Sequence, residues 1–228
     1  MSINNVKKVG SLKNKVRGRR VFILANGPSI LKENLKCLEN EIVIGMNAST
    51  ILEEQFGIFS QYYVCSDARF LMHPDKSKYA KQLLHADCIR VLRADLQSHD
   101  DLNYQDRTMY INPLKRDGFS KDLTVGYNYG CTTTMLALQL AYYLGAKEIY
   151  LLGVDLKYSA DQPRFYEEKD FQIDDSFTSI QMYNILNARD VLKSQNIALY
   201  NCSEFSYLRP YMGYEPFSSL FAELEAVV

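Results

Sequence analysis

The chain is poor in the residues that hold metals, in long apolar runs and in charge of one sign. Its five cysteines, Cys37, Cys65, Cys88, Cys131 and Cys202, are scattered without a C-x-x-C pair, and only three histidines, His73, His85 and His99, accompany them. That spacing argues against a zinc module, and an odd, dispersed set of thiols reads as the reduced cysteines of a cytoplasmic protein. Lysine plus arginine total 26 against 27 aspartate plus glutamate, a formal net charge of -1, which argues against nucleic acid as the main partner. No stretch reaches the roughly 20 apolar residues that span a bilayer, and the opening MSINNVKKVGSLKNKVRGRR lacks the apolar run of a signal peptide. Neither secretion nor membrane spanning is expected. What the sequence does have is 228 residues of which 47% are hydrophobic, enough apolar mass for one domain with a sizeable core.

The first twenty residues carry Lys7, Lys8, Lys13, Lys15, Arg17, Arg19 and Arg20 with no acid among them. Residues 1–19 read as a solvated, partly disordered basic leader; the other reading is an arm that leans on an anionic membrane surface, where each such residue contributes on the order of 1 kcal/mol. Residues 20–228 are expected to form a single domain. Within it four clusters of β-type residues, Val21 to Ala25, Ile42 to Asn47, Tyr62 to Ser66 and Ile89 to Leu92, alternate with segments of helical character, the pattern of a parallel sheet. A helix from about Thr132, apolar almost all round, stops before Gly145, which sits where a left-handed cap belongs. Glu148 to Asp155 follows as a near-continuous apolar run, as a strand covered on both faces requires. A helix from about Ser179 to Ser194 and a strand from Ile197 to Tyr200 repeat the unit. The fold class is therefore α/β, with a long loop or lid over about residues 157–178 after the central strand.

The ligand crevice of an open α/β sheet lies outside the carboxyl ends of its strands. Asn26-Gly27-Pro28-Ser29 leaves the first strand and is expected to open a helix: Gly27 permits close backbone approach, Pro28 suits an early helical position, and the free amides there favour an anion. The motif is neither G-x-G-x-x-G nor a P-loop. A simple capped turn is the plainer reading. Asn47 ends the second strand and Ser66-Asp67 the third, on the same rim, where they can meet phosphate, ribose or base, or can equally cap their own loops. Thr132, Thr133 and Thr134 supply hydroxyls and amides at the positive end of the buried helix, where an N-cap is expected in any case. Asp155 ends the central strand, to orient a sugar hydroxyl, receive a proton, or tie down a loop. In the lid, Lys157, Arg164, Tyr158 and Tyr166 can hold a phosphate leaving group, and one of Glu167, Glu168, Asp170, Asp174 and Asp175 can serve as base, with nothing in the spacing to choose among them. The three histidines sit away from these strand ends.

These residues resemble two related groups. The Asn-Gly-Pro-Ser turn, Asn47, the threonine-rich helix start and the segment LGAKEIYLLGVDL are similar to the bacterial sialyltransferases that use CMP-sialic acid to decorate lipooligosaccharide. Asp67 and the segment Asn201-Cys202-Ser203 resemble the wider set of flagellin-glycosylating proteins and archaeal-type hydroxymethylpterin diphosphokinases. The resemblance spans roughly residues 20–208. It implies a Rossmann-like, doubly wound, mostly parallel sheet with helices on both faces, and a metal-independent bacterial transferase holding a CMP-sugar across the crevice. On that template Asn26, Gly27 and Asn47 lie near the nucleotide phosphate and donor sugar, Thr132 to Thr134 near the nucleotide or a donor carboxylate, and Tyr158 and Tyr166 at the departing phosphate. The sialyltransferases use a lid histidine as base; this chain has no histidine after His99, and Arg164-Phe165 stands where the wider family often has His-Phe.

The expected function is therefore a glycosyltransferase of cell-surface polysaccharide or lipopolysaccharide synthesis, moving a sialic-acid-like sugar from a CMP-linked donor to a glycan or glycolipid acceptor. No cofactor is expected. A diphosphokinase acting on a pterin alcohol is the first alternative; it would need Mg²⁺, with Asp67 and Asp155 as ligands. A non-catalytic nucleotide-sugar-binding module is the second. The 17 tyrosines and 11 phenylalanines would serve either a homo-oligomer contact or a core.

Overall fold

The computed structural model describes residues 2–81, 85–100, 106–158, 162–167 and 175–222. Seven strands form one sheet: β1 (Arg20–Leu24), β2 (Ile42–Met46), β3 (Tyr62–Cys65), β4 (Ile89–Arg93), β5 (Thr108–Ile111), β6 (Glu148–Leu152) and β7 (Ala198–Asn201). All neighbouring strands pair in parallel, in the order β5-β4-β3-β2-β1-β6-β7. The chain works outward from β1 to β5, then returns through α5 (Thr133–Tyr143) to lay β6 on the other side of β1. The direction of winding reverses between β1 and β6, the position at which an open α/β sheet places its ligand crevice.

Strand residues alternate between two apolar layers, as a pleated strand covered on both faces must. In β1, Val21 and Ile23 join the layer under α5 and α6 (Thr178–Ser194), whereas Phe22 and Leu24 join the layer under α2 (Thr50–Phe56), α3 (Arg69–Met72) and α4 (Pro74–Lys81). Phe22 stacks on Tyr150 of β6, which stacks on Tyr200 of β7, with ring centroids 5.0 and 5.1 Å apart. Helix α5 is buried almost all round, and Gly145 follows it with φ +86°, the left-handed cap that its sequence implies. Its one wholly buried polar side chain, Gln139, accepts from the amides of Ser120 and Asn128 and donates to the Asn128 carbonyl. That anchors the segment 112–131 that leads the chain back into α5.

Three features differ from the sequence reading. The segment after Gly27 is a short 3-10 turn (Pro28–Lys32) and not a regular helix, and a second such turn (Leu35–Leu38) completes the link to β2. Strand β5 is a four-residue edge strand that composition gave no reason to expect. The basic leader is not solvated throughout: α1 (Ile3–Gly10) forms, and Val9, Leu12 and Val16 are buried in the core beside α5. The physical reason lies in the spacing of those apolar residues between the lysines, and in Asn5, which donates to the Tyr110 carbonyl and accepts from its amide along the edge of β5. Among the described residues no helix is long and apolar enough to cross a membrane.

Candidate functional site

The carboxyl ends of β1, β2, β3, β4 and β6 and the N-terminus of α5 enclose a cavity of about 490 Å³ at the switch between β1 and β6. The lid contributes its other wall.

At the β1–β6 corner the two loops that follow these strands are laced together. The Gly27 amide donates to the Gly153 carbonyl at 2.8 Å, and Asp155, only 6% exposed, receives the Ser29 amide on Oδ2 at 3.0 Å and the Ser29 hydroxyl on Oδ1. The amide expected to be free for a ligand at this turn is thus taken by the protein's own carboxylate. A Cβ on Gly27 would stand 2.4 Å from Asp155 Oδ2 and 2.6 Å from the Gly153 carbonyl oxygen, so the glycine is required by contact between the two loops. Asn26 spans to the next strand, its amide nitrogen donating to the Met46 carbonyl at 3.3 Å.

At the β2 and β3 ends, Asn47 adopts φ +54°, and its carbonyl accepts from the Tyr63 hydroxyl at 2.7 Å. Its side-chain Oδ1 is buried and has no hydrogen-bond partner among the described residues. Ser66 and Thr133 share a 2.9 Å hydrogen bond that pins the third strand to the start of α5. Asp67 faces Arg69 through both carboxylate oxygens and also accepts the Arg69 amide. Burial alone would raise the Asp67 carboxyl, but Arg69, with Lys76 further off, holds it below its ordinary range.

Thr132 caps α5, accepting from the Thr134 amide at 3.2 Å, while Cys131 precedes it at φ +57°. Burial raises the Cys131 thiol, so it lacks the thiolate character of a nucleophile. Gln181 of α6 donates to the Cys131 carbonyl and to Asp175 Oδ2, tying the end of the lid to the start of α5. The lid is latched to the opposite wall too: the Phe165 amide donates to the Asn26 carbonyl at 3.1 Å, and Tyr166 packs on Tyr79 of α4 with ring centroids 5.1 Å apart. Arg164 lies over the Tyr158 ring, 4.3 Å from its centroid.

Of the residues singled out in the sequence, Asn26, Gly27, Asn47, Ser66, Asp67 and Asp155 line this cavity, as do Thr132 to Thr134 and, in the lid, Tyr158, Arg164, Tyr166 and Asp175. Pro28, Ser29 and Glu167 do not; Ser29 is turned to Asp155. Glu168, Asp170 and Asp174 lie outside the described residues. Arg69, Lys76, Arg93, Tyr129 and Gln181 were not anticipated. Arg93 had a signal, since it ends β4 on the same rim, but Lys76 and Gln181 reach the cavity from helices whose docking the sequence does not state. Five cations, Arg69, Lys76, Arg93, Lys157 and Arg164, stand against three lining carboxylates, Asp67, Asp155 and Asp175, and Asp95, which pairs with Arg93 from outside the cavity. With the positive end of α5 added, the cavity favours an anion.

Residues 1–161 match the family described as 6-hydroxymethylpterin diphosphokinase MptE-like. Among solved structures, the fold is similar to that of the sialyltransferase CstII from Campylobacter jejuni, solved in complex with a substrate analogue, cytidine-5'-monophosphate. The TM-score is 0.54 at 16% identity, over 88% of this chain and 86% of that one. It is also similar to the MAf glycosyltransferase from Magnetospirillum magneticum AMB-1, with a TM-score of 0.58 at 16% identity, over 95% of this chain but 38% of that one. At such identity the likeness is one of fold. No curated protein matches the chain.

Proposed function

The chain belongs to the MptE-like family, and from that premise we propose that it is a metal-independent glycosyltransferase, moving a sugar from a CMP-linked donor to a glycan or glycolipid acceptor of the bacterial cell surface. The observation that carries the reading is the convergence of five cations, three threonines and a helix N-terminus on one cavity at the sheet's switch point. A nucleotide phosphate sits against Thr132 to Thr134 and the amides of the first turn of α5. Lys157, Arg164 and the phenols of Tyr158 and Tyr166 stabilise the negative charge that develops on the departing phosphate. The unpaired Asn47 Oδ1 accepts from a donor hydroxyl or a base amine, since a buried acceptor without a partner favours any ligand that supplies one.

In the transfer, an acceptor hydroxyl oxygen forms a bond to the anomeric carbon as that carbon's bond to the phosphate oxygen breaks. The hydroxyl proton goes to a carboxylate and the nucleotide leaves with the electron pair. Asp175 is the base in this scheme: its oxygens accept from the Phe177 amide and the Gln181 side chain, as those of Asp155 accept from Ser29, but Asp175 is half-buried on the crevice wall whereas Asp155 is buried. Asp174 of the lid is its rival.

A family name that speaks of a diphosphokinase raises Mg²⁺. The residues present do not fit one: both oxygens of Asp67 face Arg69, and both of Asp155 face Ser29. Among the described residues no group of three or more histidines, cysteines and carboxylates gathers. The test is turnover in the presence of EDTA. Release of CMP from a CMP-linked sialic-acid-like sugar, faster with a glycan acceptor, is expected. Failure with every such donor, alongside Mg²⁺-dependent transfer of diphosphate from ATP to a pterin alcohol, would assign the diphosphokinase reaction instead.

A further inference from the structure

A second concavity, of about 710 Å³, lies at the opposite end of the sheet from the crevice, where the chain enters β1, β6 and β7. Four cations line it from three separate segments: Lys13 and Arg17 from the leader, Lys121 from the segment before α5, and Lys147 from the link into β6. No carboxylate lines it. None of the four has an ion-pair partner among the described residues, and all four are exposed.

Cations gather at this end of any such fold, because the helices point their negative ends here. That effect is too small to account for these. The C-termini of α5 and α6 together present about one negative charge, and Asp122, whose carboxyl is held low chiefly by Thr124 and in lesser part by Lys13, adds one more. Four positive charges exceed both. The backbone, by contrast, is already satisfied: the Asn14 and Gly18 amides donate to the carbonyls of Tyr143 and Gly145. Recognition at this concavity must therefore come from the side chains, and the charge it fits is that of several phosphates close together. A flat anionic membrane would engage a protruding surface more fully than this recess, and a membrane here would leave the crevice facing away from it.

We propose that this concavity is a second binding site, for a soluble small molecule that carries two or more phosphate groups, separate from the crevice at the other end of the sheet. The assignment does not depend on the glycosyltransferase reading.

The probe is inorganic tripolyphosphate, titrated calorimetrically into the full chain at low ionic strength. Wild-type protein binds it, and the double variant Lys121→Gln/Lys147→Gln weakens binding by about tenfold or more, with an unchanged melting temperature. Lys121→Arg/Lys147→Arg retains binding, which separates lost charge from lost folding. The crevice variant Lys76→Gln/Arg93→Gln also retains it. Three results overturn the proposal: loss of binding only in the crevice variant, equal affinity in all variants, or no binding of tripolyphosphate at all. Binding to phosphatidylglycerol vesicles without affinity for tripolyphosphate would be the last of these, and would give the surface to a membrane instead.

Discussion

Asn47 shows most plainly how one residue links backbone, core and ligand. Its left-handed backbone turns the end of β2 toward the crevice, Tyr63 fixes its carbonyl from the core, and its side-chain oxygen is left buried and unpaired. Replacing Asn47 by Gly, which tolerates the left-handed backbone, removes that acceptor and is expected to weaken CMP binding about tenfold, the effect of one hydrogen bond to a buried partner, with little change in melting temperature. Calorimetric titration checks it, and undiminished affinity would remove Asn47 from the site. Behind the same strand, Glu53 is buried, and desolvation pushes its carboxyl up to about 7, opposed in part by the nearby polar groups of Ser60. The folded chain therefore keeps a proton that the unfolded chain gives up near 4.5. Stability attributable to this group is full below about pH 4.5, falls by about 3 kcal/mol as pH rises to 7, and is level above. Glu53→Gln abolishes that slope, so denaturant unfolding of the two proteins should diverge across this window; parallel pH profiles would contradict the assignment. The place of Asn47 on the crevice rim was legible in the sequence, whereas its unpaired oxygen and the burial of Glu53 were not. Asn47 could be placed at a strand end, but its unpaired oxygen depends on what β3 packs against it, and Glu53 looks like any helix-surface acid until α2 is docked.

At the level of elements, the turn after β1 and the loop after β6 behave as one unit. The sequence placed Asn26 and Asp155 at two strand ends on a common rim, and the rim is where both stand. It did not reveal that Asp155 binds the Ser29 turn, because that bond exists only when β6 returns to lie beside β1. Gly27→Ala is therefore expected to separate the two loops, since its Cβ would meet both a carboxylate and a backbone carbonyl within 2.6 Å. A loss of about 2 kcal/mol or more in unfolding free energy follows from such overpacking, together with loss of nucleotide binding. A fully stable Gly27→Ala protein would show that the loops are not locked as described. Helix α5 and β6 were legible because burial on all sides leaves an unbroken apolar record, ended by a glycine at the cap. Strand β5 was not, because four residues at a sheet edge carry too little pattern, and its neighbour Arg90 is a buried charge satisfied by Asp100, which lies ten residues away in a separate turn.

For the whole molecule, the reversal of winding between β1 and β6 sets a crevice at one end of the sheet, and the leader closes the sheet's far edge. Basic residues hid the leader's structural part: its charges draw attention, but Val9, Leu12 and Val16 carry its energetics. Burial of three such side chains contributes about 1.5–3 kcal/mol each, so removal of residues 2–16 should lower the melting temperature steeply and expose the edge of β5 to self-association. Light scattering and thermal unfolding of the truncated chain test this; unchanged stability would return the leader to the role of a solvated arm. The parallel sheet and its crevice were foreseeable from alternation and strand-end chemistry, whereas the cation-lined recess beneath the sheet required the three-dimensional meeting of residues 13, 17, 121 and 147.

The proposed activity requires that the crevice take a cytidine nucleotide without metal. Thermal unfolding of the purified chain with CMP, and separately with ATP or GTP, each with EDTA and with Mg²⁺, measures this directly, because a ligand that binds only the folded state raises the melting temperature. We expect CMP to raise it equally in EDTA and in Mg²⁺. A rise seen only with ATP or GTP in the presence of Mg²⁺, and none with CMP, would contradict the assignment of the crevice to a CMP-linked donor.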